Sequence, residues 1–185
     1  MEALDALQHR VSVARLGGDV PAKEVLENMF KAALRVPDHA QLKPWRFLLV
    51  SGASREKLGD LFVQAQLEDE PALNEAAVNK ARGKTNRAPL IIIVVAKPQF
   101  HPKVPEIEQL LSAGASVQNM LLAAHAQGIG AMWRTGSMAY HQTVLSGLGL
   151  APDEKLIGFL YVGEINGKTR TVPEPDTQEY FKLWP

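Results

Sequence analysis

The stretch "APLIIIVVA", residues 88–96, decides the fold. After Leu90 come five β-branched residues with no polar residue among them. A half-exposed strand alternates apolar and polar positions. A run without alternation predicts a central strand buried on both faces. At nine residues it reaches about half the length of a membrane-spanning helix.

Working outward, "WRFLLVS" (45–51) and "LIGFLYVGE" (156–164) read as two further strands. Between the strands lie helical patterns. Leu4, Leu7 and Val11 suggest a short first helix ending near Arg10. Val25, Leu26, Met29, Phe30, Ala33 and Leu34 recur at helical spacing, with Asp19 expected as N-cap, Pro21 in the first turn and Pro37 closing the pattern. Ser54 is expected to cap a helix running to about Glu68, and 71–82 reads as a helix starting at Pro71. Residues 105–127 form a long helix, apolar almost all round in its second half, and a further helix is expected around 140–147. The long helix is therefore buried, at the domain's centre or against a partner. The order of elements does not give regular βαβ repeats, so an α+β or mixed-sheet domain fits better than a doubly wound one.

Composition narrows the class. Twenty Lys and Arg balance twenty Asp and Glu, which argues against a general nucleic-acid binder or an anionic-membrane binder. There is no cysteine, so disulfides, thiolate catalysis and Cys-ligated metals are excluded. The start "MEALDALQHR" is acidic and amphipathic, unlike a signal peptide. A cytoplasmic protein is expected, folded as a single domain over 1–185 without repeats or linkers.

Several short stretches could carry chemistry. Gly128-Ile129-Gly130 is not a dinucleotide fingerprint: the third glycine position holds Trp133, and the order is helix then strand. Gly128 is expected instead as the residue that ends the long helix. Arg10, Ser12 and Arg15 in "HRVSVAR" offer guanidinium forks and a hydroxyl suited to phosphate oxygens, although Arg10 would equally offset a helix dipole. Lys168 and Arg170 follow an Asn-Gly turn and by themselves read as a solvated turn. Asp38 and His39, in "RVPDHAQLKPWRF" (35–47), could pair so that the carboxylate fixes the imidazole tautomer. No serine or cysteine nucleophile motif accompanies them, and no second His stands at metal-ligand spacing. His9, His101, His125 and His141 are scattered and read as structural or exposed. "GAMWRTG" (130–136) could present backbone N–H groups to a planar ligand where glycine permits close approach, or be an ordinary core strand.

Taken in order, "HRVSVARL", "RVPDHAQLKPWRF", "RAPLIIIVVAK", "KVPEIEQLLSAG", "AAHAQGIGAMWRTG" and "IGFLYVGE" resemble the nitroreductase family of FMN-dependent oxidoreductases, in particular its short, compact members. The ordered set is specific, and it covers nearly the whole chain. The resemblance implies an α+β fold with a central mixed sheet flanked by helices, in an intertwined homodimer carrying two FMN sites at its interface. It implies that Arg10 and Ser12 hold the FMN phosphate, helped by Arg15, Lys168 and Arg170. Pro37, Asp38, His39 and Gln41 resemble the segment that reaches the partner's flavin. Trp133, Arg134, Thr135 and Gly136 resemble the stretch running past the flavin. The C-terminal tail, 173–185, with Tyr180, Phe181 and Trp184, would pack on the partner or on its own subunit.

The activity so implied is oxidation of NADH or NADPH through flavin N5, with delivery of electrons to nitroaromatic or quinone-like small molecules by a ping-pong mechanism. The flavin carries the redox chemistry, so no protein acid, base or nucleophile is required. Arg134, Lys43 and Arg15 are the candidates for positive charge near N1 and C2=O. Three departures stand out: Val11 where members often carry Arg or His, and Gln41 and Lys43 in "HAQLKPW". Two alternatives remain open on the residues: a flavoprotein with a non-reductase role such as dehalogenation, flavin storage or flavin fragmentation, and a cofactor-free dimeric interaction module.

Overall fold

The computed structural model describes residues 1–184; Pro185, the last residue of the tail 173–185, lies outside the described residues. Among the described residues, six α-helices and five strands follow in the order α1 Ala3–His9, β1 Leu16–Gly17, α2 Lys23–Ala33, β2 Trp45–Ser51, α3 Ala53–Asp69, α4 Glu75–Arg82, β3 Leu90–Ala96, α5 Glu106–Ala126, β4 Gly130–Arg134, α6 Gln142–Gly147 and β5 Lys155–Ile165.

The opening stretch lies where its pattern demands. Every residue of β3 is buried. Ile91, Ile93 and Val95 face a core with Leu58 and Phe62 of α3 and Val144 of α6. Leu90, Ile92 and Val94 face the opposite core, with Met29 and Ala33 of α2 and Val117, Met120 and Ala124 of α5. Period-two alternation therefore feeds two apolar layers rather than one, so no position could be polar.

The strand order is β2-β3-β5, with β4 on β5 and the short β1 also on β5. All pairings among the described residues are antiparallel, whereas a mixed sheet was expected. The reason is where each connection returns. Ser51 pairs with Leu90, so the α3–α4 excursion leaves and re-enters the sheet at one end, as an elaborated hairpin does. Arg134 pairs with Phe159 in the same way around α6. Helix α5 does carry the chain from β3 to a strand of like direction, β4. However, β5 inserts between those two and runs against both.

Helix starts differ from the cap residues expected. Ala22, not Asp19, is the N-cap of α2, and no side chain caps it. Gly52 precedes α3, because β2 turns directly into the helix and Ser54 already lies inside it. For α4 the cap is Asn74, whose Oδ1 accepts from the Ala77 N–H at 2.9 Å, so the helix begins four residues after Pro71. Gly128 ends α5 as expected. Its φ is +74°, its N–H donates to the His125 carbonyl, and Ile129 N–H donates to Ala124, a left-handed cap that glycine adopts without strain.

One buried ion pair ties β2 to the loop before β5. Arg46 Nε and Nη2 donate to the two carboxylate oxygens of Glu154 at 2.7 and 2.6 Å, and Nη2 also donates to the Gly149 carbonyl. The Glu154 side chain is 5% exposed. Its pKa falls from 4.5 to about 2, chiefly through the Arg46 hydrogen bonds, with burial opposing and the Ala151 N–H assisting. A depressed carboxylate contributes stability above its unfolded pKa that is lost as pH falls through the folded one. The shift corresponds to about 3 kcal/mol at neutral pH. Glu154→Gln should therefore lower stability by about that amount in urea melts at neutral pH. The gap to the wild type should close on acidification from about pH 4.5 toward pH 2.

Candidate functional site

The outer edge of β4 is one of the two open edges of the sheet. Ala131 uses its outward carbonyl to accept the Val13 N–H at 3.0 Å. By ladder alternation the main-chain groups of Trp133 face outward as well. The Trp133 side chain lies across the sheet face and stays partly exposed. Its Nε1 donates to the Ile157 carbonyl at 3.1 Å, and the indole lies against Gly158 and near Gly114. A Cβ built on Gly136 would meet nothing within 4 Å, so the chain is open just past the strand.

A cleft of about 390 Å³ opens there, walled by Lys84, Arg87, Arg134, Thr135, Gly136 and Tyr161. Arg134 lies on the opposite face of β4 from Trp133. Its guanidinium stands 5.6 Å over the Tyr161 ring, and its buried Nε has no hydrogen-bond partner. Burial, then the charge of Arg87, pulls Arg134 below its ordinary pKa. Lys84 is lowered by burial first, then by Arg87 and Lys80. Burial raises the Tyr161 phenol, with Arg87 and Arg134 opposing. Among the described residues no carboxylate forms an ion pair with Lys84, Arg87 or Arg134. Mutually repelling cations held in a concave cleft form a site prepared for negative charge.

The other end of β4 carries a second such site. Arg10 follows α1 as its C-cap, and its buried Nη1 has no partner. Beside it a cavity of about 200 Å³ is lined by His9, Val11, His125, Ala131, Thr169 and Arg170. The buried Nε2 of His125 is also without a partner. The two sites are separated by the five residues of β4, roughly 17 Å of strand.

The other expected residues are placed as follows. Ser12 is exposed beside Arg10. Arg15 is exposed, and its carbonyl accepts the Asn166 N–H. Lys168 and Arg170 are exposed beyond β5, with Arg170 reaching the smaller cavity. Of the three cations expected near a ring, Arg134 alone lines the cleft; Arg15 and Lys43 do not. Lys84 and Arg87 take that place, and Tyr161 and His125 are further additions. Lys80, Arg82, Lys84 and Arg87 crowd a stretch of eight residues, a charge density that could have drawn notice.

The connector holding Pro37, Asp38, His39 and Gln41 leads into β2, at the sheet edge opposite β4. Three inter-strand spacings, roughly 14 Å, separate the two edges. One protomer thus does not bring the connector and β4 together. The expected Asp38–His39 pair does not form. Asp38 Oδ2 accepts the Lys43 main-chain N–H at 2.7 Å, while His39 Nδ1 lies 2.6 Å from Glu108 Oε2 on α5. Ala40, Gln41 and Lys43 have φ of 60°, 53° and 50°, a left-handed conformation that costs non-glycine residues about 1 kcal/mol or more each. It is pinned by Asp38 and by Gln99 Nε2 donating to the Leu42 carbonyl at 2.8 Å. Strain held in place by dedicated side chains marks the connector as more than a link.

Comparisons with known proteins bear on the family and the fold. The model of the nitroreductase family matches residues 7–164. The chain is 39% identical over 178 residues to the protein of Escherichia coli (strain K12) named "Putative NAD(P)H nitroreductase YdjA", covering 95% of this chain and 96% of that one. A nitroreductase-like family protein from Bacillus cereus superposes with a TM-score of 0.85 at 22% identity, covering 100% of this chain and 96% of that one. A structure from Desulfovibrio desulfuricans, described as "a putative nitroreductase in complex with fmn", gives a TM-score of 0.74 at 22% identity, covering 100% and 99%.

Proposed function

This chain belongs to the nitroreductase family, and on that premise we propose that it is an FMN-dependent oxidoreductase, taking electrons from NADH or NADPH and delivering them to nitroaromatic or quinone-like acceptors. The observation that carries the reading is the pair of uncompensated cation clusters at the two ends of the open β4 edge. FMN has a dianionic phosphate at one end and a ring that gains negative charge on reduction at the other. The orphaned Nη1 of Arg10 and Nε of Arg134 are the unmet hydrogen bonds that such a ligand would satisfy. The name of the Escherichia coli relative and the FMN in the Desulfovibrio structure support the same assignment.

In this reading Arg10, Ser12 and Arg170 hold the phosphate, with Lys168 adding charge nearby. Lys84, Arg87 and Arg134 hold the ring end and favour its anionic reduced form. The outward N–H group of Trp133 is offered along the ring's length, with Thr135 and Gly136 just beyond it. When bound, FMN supplies the redox chemistry, so no nucleophile or general base is required of the chain.

The connector reaches the site only from a second copy, which makes the working unit a homodimer. Unburied apolar residues support this: Leu34, Leu49, Ile107 and Leu111 are each more than half exposed, and Tyr180, Phe181 and Trp184 of the tail are exposed too. The tail would pack on the partner, within a single domain spanning 1–185. No helix among the described residues is long and apolar enough to cross a membrane.

Steady-state kinetics test the activity. Oxidation of NADH or NADPH should depend on a nitroaromatic or quinone, with parallel double-reciprocal lines because donor and acceptor share one site. Retained flavin without acceptor-dependent turnover would instead favour a storage or dehalogenation role.

A further inference from the structure

We propose that His125 is an additional ligand of the phosphate end, one that takes up a proton as the phosphate binds and so makes cofactor retention tighten as pH falls. This rests on the FMN reading above and adds to it a residue and a proton. His125 sits in the last turn of α5, half-buried, lining the cavity of about 200 Å³ that Arg170 also reaches. Its Nε2 is buried with no hydrogen-bond partner, as is the Nη1 of nearby Arg10. Two separate elements therefore bring unmet polar nitrogens to one place, which a tetrahedral ligand with several acceptor oxygens would satisfy together.

The groups facing His125 determine the proton's behaviour. His9 and Arg10 approach from α1 and its cap, Arg170 from beyond β5, while α5, the turn after it and β4 present Leu121, Ile129 and Ala131. None of the cavity's lining residues is an Asp or Glu. With the cavity empty, burial and then the charges of Arg10 and His9 keep the ring's pKa below its ordinary value, so it is neutral at neutral pH. A phosphate dianion reverses the sign of the local field and favours imidazolium. The carbonyl end of α5 acts the same way: it favours a cation at its last turn and would repel the phosphate if His125 stayed neutral. Binding therefore draws in a proton over the pH range where the free ring is neutral and the bound ring is charged. Through that range affinity rises as pH falls. Below about pH 6 free FMN protonates its own phosphate, and the gain stops.

Titration calorimetry with FMN, in two buffers of different ionisation heat, reads the proton directly. For the wild type, uptake should approach one proton per FMN near pH 7, and affinity should fall by up to about tenfold per pH unit as pH rises from there. Riboflavin, which lacks the phosphate, should bind without uptake. His125→Gln should bind FMN with no uptake and a flat pH profile; His125→Lys, charged throughout, should also be flat but stay near the wild-type affinity at pH 7. His9→Gln should keep the wild-type slope. The proposal is overturned if His125→Gln retains wild-type proton uptake or if the slope follows His9. Loss of all FMN binding in the wild type would be a different failure, removing the cofactor reading and this inference with it.

Discussion

Arg10→Ala should lose FMN on desalting, with a dissociation constant raised on the order of 100-fold, while riboflavin affinity and oligomeric state stay unchanged. The cause is an unmet hydrogen bond. Arg10 keeps a buried Nη1 without a partner in the chain, and no carboxylate among the described residues neutralises it. A charge-assisted contact from such a group to phosphate contributes about 1.5–3 kcal/mol, one to two powers of ten in affinity. Val11 increases the dependence on Arg10, since a second basic side chain is missing from the next position. Riboflavin separates the phosphate contact from a general loss of structure. Fluorescence titration of both flavins makes the comparison, and equal losses for the two would take Arg10 out of the phosphate site.

Gly158→Ala should give the largest loss of stability. Gly158 has φ +152°, and a Cβ there would stand 2.2 Å from Trp133 Nε1 and 2.9 Å from the Arg134 carbonyl oxygen. It pairs with Val94, where the β3–β5 register shifts. A conformation nearly confined to glycine costs about 1–3 kcal/mol for alanine, and displacing the indole adds about as much. Together these lower the melting temperature by about 10 °C. The effect reaches the site as well, because moving Trp133 shifts the β4 edge along which a flavin would lie. A circular-dichroism melt within about 2 °C of the wild type would show that the strand absorbs the methyl without strain.

The parts of the fold legible in the sequence share one property: their physics is local. β3 is readable because a strand buried on both faces leaves no room for a polar residue. Gly128 is readable because a left-handed cap selects glycine. Helix starts are not legible where chain direction decides them, as at Gly52, where β2 turns straight into α3. The antiparallel pairing is not legible for a topological reason, since nothing in β3, α5 or β4 signals that β5 will insert between parallel neighbours. In the candidate site, Arg10 and Arg134 could be picked out through the family resemblance. Lys84 and Arg87 could not, because basic residues closing a helix look like dipole compensation until a cleft forms over them. The strain at Ala40, Gln41 and Lys43 leaves no trace in residue type. The partner of His39 lies 69 positions away at Glu108.

The two cation clusters and the open edge between them predict a flavin site along β4. It is tested most directly by the near-UV and visible absorption spectrum of the purified protein, taken after FMN is added and the excess removed by gel filtration. Retained flavin bands, stoichiometric with the chain and absent from Arg10→Ala, are the predicted result. A colourless wild-type protein after the same treatment would contradict the claim and leave the two cation clusters without their ligand.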